Sequence, residues 1–263
     1  MKSLDQKVII ITGAGMGLGL ATAIEAAARN AKLCLVDYNE EALQQAREEI
    51  IKAHQQAEVI TVKADVSNEE DVINYVNATI KAYGTIDGLY NNAGIEGKQA
   101  PITEYNIDVF KKVIDINLMG VYYGLRHVIP HMQQKQYGRI VNVASVGGIR
   151  GVMNQMPYVA SKHAVSGMTK NAALEYARYG ITTNAIAPGA ILTPMVAGAF
   201  KQVNPEDPKA AEAEYASANP TKRLGLPEEV AKVVCFLLSD DASYVNGQTL
   251  AIDGGQSNSY GNV

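Results

Sequence analysis

At 263 residues, 47% apolar and 19% charged, the chain can bury a sizeable core, which excludes an intrinsically disordered segment. A net charge of −4 with both signs mixed gives no sign of a nucleic-acid groove or of a surface for an anionic membrane. No apolar run approaches the ~18 residues that a membrane helix needs, so neither nucleic acid nor membrane is expected as a partner.

The opening, MKSLDQKVIIIT, passes from a polar tail into a strand-like run that is too short for a secretory signal and lacks a small-residue cleavage site. Cys34 and Cys235 lie in apolar runs without pairing or metal-ligand spacing. They are expected as buried free thiols in a reducing compartment, the cytoplasm.

Residues 7–12 (KVIIIT) read as a buried strand that feeds the run Gly13-Ala14-Gly15-Met16-Gly17-Leu18-Gly19 and an alanine-rich helix to about Asn30. The pattern G-x-G-x-x-G is not met; the one present is Thr12-Gly-x-x-x-Gly-x-Gly. Glycines at a strand-to-helix turn let backbone approach a ligand, and the helix N-terminus offers free N–H groups to a phosphate. A tight turn packed on the sheet is the plainer alternative. Residues 33–37 (LCLVD) form a second strand ending in Asp37, 18 residues after Gly19. A carboxylate at about that offset accepts hydrogen bonds from the adenosine ribose and repels a 2′-phosphate. Tyr38, Asn39 and Met16 supply no cation for such a phosphate. NAD is therefore the expected cofactor.

Residues 40–54 are helical in period, and 58–66 form the third strand, with Asp65 at its end placed for an adenine ring or as a helix cap that Ser67 could equally provide. A helix over 68–83 and a strand with loop over 86–94 (IDGLYNNAG) follow. Strands separated by helices imply βαβ units in a mainly parallel sheet covered on both faces, with ligands at the strands' carboxyl ends. Thr12, Asp37, Asp65, Asn91 and Ser145 should share that edge. Residues 103–133 carry two helical stretches; Asn117 lies in the apolar run VIDINLMGVYYG, where a buried amide needs partners. It either pairs locally or opens a turn and holds a water. His127 and His131 are four apart, but Pro130 interrupts their face and no third ligand is near, so no metal is expected.

RIVNVA (139–144) is a strand that leads to Ser145, and Tyr158 and Lys162 stand one turn apart on a helix running to about Tyr179, with Pro157 in its first turn. Tyr-x-x-x-Lys spacings are common in helices and usually mean nothing; here a serine, a phenol and an ammonium converge on one edge. The ammonium is expected to pull the phenol toward phenolate, which equips the trio for proton transfer to a ketone or from an alcohol. Residues 181–191 make a sixth strand; 194–221 break the rhythm and read as a lid over a substrate, or as a surface helix pair. A helix (227–239) and a last strand (249–255) complete one domain spanning 1–263, with seven strands in all.

Thr12 to Gly19, Asp37, Asp65-Val66, Asn91-Asn92-Ala93-Gly94, and Pro188-Gly189 with Thr193 together resemble the short-chain dehydrogenase/reductase family along the whole chain. The resemblance implies a Rossmann-type doubly wound fold and a catalytic set of Asn117, Ser145, Tyr158 and Lys162. It implies NAD contacts from Gly13, Met16, Gly17, Leu18, Gly19, Asp37, Tyr38, Asp65, Val66, Asn92, Ala93, Gly94, Tyr158, Lys162, Pro188, Gly189, Ile191 and Thr193. It also implies a homotetramer. The stretches NNAGIEGKQ (91–99) and ASVGGIRG (144–151) resemble a member that reduces a cyclic diketone, so an alcohol/ketone substrate of that kind is expected. Glu96, Gln155, Met156 and Met195 are candidate substrate contacts, with surface packing as the alternative for each. Two competitors remain: a 3-oxoacyl-thioester reductase of the same family, against which Met16 and Asp37 speak, and a non-catalytic NAD(H) sensor, against which Tyr158 and Lys162 speak.

Overall fold

The computed structural model describes residues 3–259. Its centre is a seven-stranded, wholly parallel sheet in the order β3-β2-β1-β4-β5-β6-β7. The strands are β1 (Val8–Thr12), β2 (Lys32–Asp37), β3 (Val59–Lys63), β4 (Gly88–Asn91), β5 (Gly138–Val143), β6 (Ile181–Pro188) and β7 (Thr249–Ile252). Helices α1 (Gly17–Ala28), α2 (Glu40–Ala53), α3 (Glu69–Tyr83), α4 (Ile107–Ile114), α5 (Gly120–Lys135), α6 (Met156–Tyr176) and α9 (Pro227–Leu237) alternate with them, and α7 (Pro194–Val203) and α8 (Pro208–Ala218) form an inserted pair.

The five inner strands are buried on both faces, which is why they read as continuous apolar runs, whereas the edge strands β3 and β7 are partly exposed. Ile9 and Ile11 of β1 pack with α1, α2 and α9 residues such as Ala23, Leu43 and Val234 on one face. Ile10 packs with Tyr75, Val128 and Val165 of α3, α5 and α6 on the other. The chain winds outward from β1 to β3, then crosses back to β4 and winds the opposite way. The gap between β1 and β4 is the switch point where such sheets open a crevice at their carboxyl ends.

Several boundaries differ from expectation, each for a physical reason. The edge strand β3 stops at Lys63, its last residue paired with β2, so Asp65 lies in the following turn. There Asp65 accepts bonds from the Ser67 N–H and hydroxyl, while Asn68 caps α3 by accepting from Glu70 and Asp71. Neither Asp65 nor Ser67 is the cap. The two helical stretches of 103–133 are joined without a break by a π-helical turn, Asp115–Met119, centred on Asn117. α6 begins two residues before Tyr158, with Gln155 as its flanking residue and Pro157 in the first turn. His127 bonds Glu69 at 2.8 Å rather than sharing an ion with His131, and among the described residues no three His, Cys, Asp or Glu side chains group to hold a metal. Cys34 and Cys235 are free and buried, and burial pushes their thiols up to about 11 and about 12. Among the described residues no helix is long and apolar enough to cross a membrane.

Candidate active site

The crevice begins with a clamp between the ends of β1 and β4. The Thr12 hydroxyl accepts the N–H groups of Asn92 and Ala93 at 3.0 and 3.1 Å, and the Asn92 amide donates to the Thr12 and Gly13 carbonyls at 2.9 and 3.0 Å. Gly13 takes φ +63°, and a Cβ there would meet Asn92 Nδ2 at 2.8 Å, so only glycine fits. Thr12 and Asn91 are buried behind this edge: Asn91 donates to Asn142 at 2.9 Å. They brace the site without lining it.

Gly19 is likewise a packing residue. A Cβ on it would stand 2.1 Å from the Gly13 carbonyl oxygen, so the glycine lets α1 lie against the end of β1. Gly19→Ala should lower stability by about 1–3 kcal/mol through overpacking, read as a drop in the denaturation midpoint. An unshifted midpoint would contradict the tight crossing.

Met16 precedes α1 in extended conformation and gives no side-chain cap, so the helix's first-turn N–H groups have no side-chain acceptor. The Asp37 carboxylate is held in place by the Gly15 and Asn39 N–H groups, both at 3.0 Å.

Ser145, two residues past β5, is buried, and its Oγ accepts the Gly147 N–H at 3.1 Å. Lys162 is buried, donates from Nζ to the Val143 carbonyl at 2.7 Å, and lies 5.6 Å from the Tyr158 ring centroid. Burial lowers the Lys162 ammonium to about 8. The Tyr158 phenol is raised, by burial first and by the Glu96 charge, against the lowering influence of the Ser145 hydroxyl. The expected pull of Lys162 on the phenol is not what dominates here; both groups are pushed toward their neutral forms by the same dry surroundings.

Asn117 is fully buried. Its Oδ1 accepts the Ile95 N–H at 2.8 Å, and its Nδ2 donates to the Ile95 carbonyl at 2.8 Å and to Ser161 at 3.3 Å. The π turn brings the amide to this position, and both its ends serve to fix the segment after β4. Asn117→Ala should destabilise the fold by about 2–4 kcal/mol, because two backbone groups of Ile95 lose their partners. A urea midpoint at the wild-type value would contradict this.

One cleft of about 490 Å³ gathers most of the expected residues: Gly13, Met16, Gly17, Leu18, Asp37, Tyr38, Asp65, Val66, Asn92, Ala93, Gly94, Ser145, Tyr158, Lys162, Pro188, Gly189, Ile191, Thr193 and Met195. Gly19, Asn117, Glu96, Gln155 and Met156 do not line it. Glu96 and Gln155 bond each other at its rim, and Met156 is exposed on the first turn of α6. Residues not anticipated are Ala64, Ile95, Lys112, Ile116, Val143, Ala144, Pro194 and Val196. The i, i+4 pair Lys112 and Ile116 on one helix face was the available signal. A shallow hollow of about 510 Å³ at the ends of α5 and α6, lined by Gln133, Leu174 and Tyr179, contains none of these groups.

A family profile described as enoyl-(acyl carrier protein) reductase matches residues 13–257. Levodione reductase of Leifsonia aquatica is 53% identical over 254 residues, which is 97% of this chain and 95% of that protein. The crystal structure of levodione reductase matches with a TM-score of 0.97 at 52% identity, covering 98% of this chain and 100% of that one. Cyclohexanol dehydrogenase of Acinetobacter sp. (strain SE19) is 40% identical over 250 residues, 95% of this chain and 94% of that protein. NAD+-bound xylitol dehydrogenase matches with a TM-score of 0.92 at 37% identity, over 97% and 100% of the two chains. The doubly wound parallel sheet with its crevice at the β1–β4 switch point is a Rossmann-type α/β architecture. The chain belongs to the short-chain dehydrogenase/reductase family of oxidoreductases.

The family implies a nicotinamide dinucleotide, and the cleft fits one. Its volume lies within the ~300–1,000 Å³ of small-molecule sites. An uncapped helix N-terminus, which suits a phosphate, stands at the glycine loop, and a fixed carboxylate stands at the end of β2.

Proposed function

We propose that this enzyme interconverts a secondary alcohol and a ketone with NAD(H), the substrate being a cyclic alcohol, ketone or diketone. The observation that carries the proposal is the convergence of Ser145, Tyr158 and Lys162 in the one cleft that also contains the Asp37 carboxylate. The names of the relatives, a levodione reductase and a cyclohexanol dehydrogenase, support the cyclic class.

In this proposal the loop Gly13–Leu18 and the start of α1 would hold the pyrophosphate, Asp37 the adenosine ribose, and Asp65 and Val66 the adenine. Asn92 to Gly94, Pro188 to Thr193 and Lys162 would hold the nicotinamide end. When bound, the dinucleotide supplies or accepts the hydride. In reduction the Ser145 hydroxyl donates to the carbonyl oxygen and holds the charge that develops there. Tyr158 delivers the proton to the same oxygen; in oxidation it takes the proton back. Lys162 stabilises the phenolate that results. Asn117 serves as a positioning residue through Ile95. The α7–α8 pair, with its own small core of Phe200, Ala211 and Leu224, serves as the substrate lid through Pro194, Met195 and Val196. The family resemblance extends the proposal to a cytoplasmic homotetramer.

The test is consumption of NADH and, in parallel, NADPH across cyclic diketones, simple cyclic ketones and 3-oxoacyl thioesters. Turnover of the cyclic compounds with NADH is expected. Turnover of thioesters with NADPH would overturn both the substrate class and the cofactor.

A further inference from the structure

A half-buried carboxylate, Glu96, is tied to the start of the helix that carries the Tyr158 phenol. Glu96 follows Ile95, which lines the cleft, and precedes Gly97, whose φ of +84° turns the chain sharply. The side-chain amides of Gln99 and Gln155 both donate to its Oε1, at 3.1 and 2.5 Å. Oε2 has no donor among the described residues, and none of the ion pairs among them includes Glu96. Gln155 flanks α6 three positions ahead of Tyr158, so the bond between them holds the carboxylate at the start of the catalytic helix. Its charge is near enough to act on the phenol.

The lid is fastened to the same loop. Gln202, in the last turn of α7, accepts the Gln99 N–H at 3.0 Å and donates to the Gly97 carbonyl at 3.4 Å. The Ala100 N–H donates to the Asn154 carbonyl at 3.0 Å, which joins this loop to the segment ahead of α6. Lid, loop and helix start thus close into one polar belt around the apolar wall made by Ile95, Met195 and Val196. In the alcohol–ketone reading, a ring whose ketone is held by Ser145 and Tyr158 would extend along that wall, with the Glu96 carboxylate behind Ile95 as a fixed negative charge.

We propose, on the basis of the alcohol–ketone reading above, that Glu96 is a charge filter: the site takes neutral cyclic ketones and alcohols and rejects those carrying a carboxylate or phosphate. A carboxylate held beside the cleft repels an anionic substituent, and the repulsion grows as burial thins the screening water. Selectivity then rests on a repulsive element and needs no added contact to the favoured substrate. The two amide bonds to Oε1 hold the carboxylate at this place and leave Oε2 without a donor among the described residues.

The test compares kcat/KM for 4-oxocyclohexanecarboxamide and 4-oxocyclohexanecarboxylate, which have nearly the same shape, with cyclohexanone run alongside. In the wild-type enzyme the carboxamide should be favoured at least ~10-fold, and in Glu96→Gln, which keeps an oxygen for the amide donors, the ratio should fall to within ~3-fold. A wild-type ratio near one, or a ratio that Glu96→Gln leaves unchanged, overturns the filter. If Glu96→Gln fails to fold, the wild-type ratio decides by itself. If cyclohexanone turns over while the ratio is near one, only the filter falls. If no ketone turns over, the alcohol–ketone reading fails with it.

Discussion

Tyr158→Phe should lower kcat for ketone reduction by ~10²–10⁴-fold, the range that a positioned general acid contributes. NADH affinity, read by fluorescence titration, should stay within a few-fold of wild type, because the ring is retained beside Gly147, where an added Cβ would meet it at 3.5 Å. The reason is local. The phenol is the one proton donor in the cleft with both a hydroxyl partner, Ser145, and an ammonium one helical turn away. Burial, with the Glu96 charge, raises the phenol, and burial lowers Lys162 to about 8, so the chain by itself keeps the proton on Tyr158 at neutral pH. That suits reduction, in which Tyr158 must give a proton. For oxidation the phenol must first lose it, so the rate of alcohol oxidation should rise with pH above neutrality while reduction falls. A Tyr158→Phe enzyme with near-wild-type turnover would remove the phenol from the chemistry.

Asp37→Ser should reduce kcat/KM for NADH by ~10–100-fold, since hydrogen bonds to a charged acceptor contribute about 1.5–3 kcal/mol. The wild-type enzyme should prefer NADH over NADPH by a comparable or larger factor, and the substitution should narrow that gap from both sides. The carboxylate is not free to swing away from a 2′-phosphate. The Gly15 N–H holds one of its oxygens and the Asn39 N–H the other, both at 3.0 Å. A phosphate on the ribose would face a fixed negative charge, and the adjoining Tyr38 offers no cation. Lys112 does line the cleft. A wild-type preference for NADPH would contradict the role given to Asp37 and turn attention to that lysine.

Much of the architecture was legible because local pattern and tertiary role agree. The buried runs KVIIIT and LCLVD name the central strands, the glycines mark the tight crossing, and the four-residue spacing of Tyr158 and Lys162 is realised on α6. What escaped was set by contacts distant in sequence. The π turn at Asn117 follows from an amide that reaches Ile95, 22 residues away, which no helical periodicity encodes. The belt at the rim joins Glu96 to Gln155 across 59 residues and Gln99 to Gln202 across 103, so Gln155 reads only as a substrate contact or surface packing and Gln99 and Gln202 carry no local signal. Thr12 and Asn91 do end strands, yet the loops that follow fold over them and bury both. The direction of the Tyr158 shift depended on how dry its surroundings are, and spacing alone shows the ammonium but not the burial.

The most direct test of the central claim is isotopic. Cyclohexanone is reduced in the presence of NADH doubly deuterated at C4 of its nicotinamide ring, and the cyclohexanol is analysed by mass spectrometry. One deuterium on the carbinol carbon, with the alcohol formed in step with NADH consumed, is the predicted result. NADH consumption that leaves no deuterium in the alcohol, or no alcohol at all from any cyclic ketone while NADH binds, would contradict it.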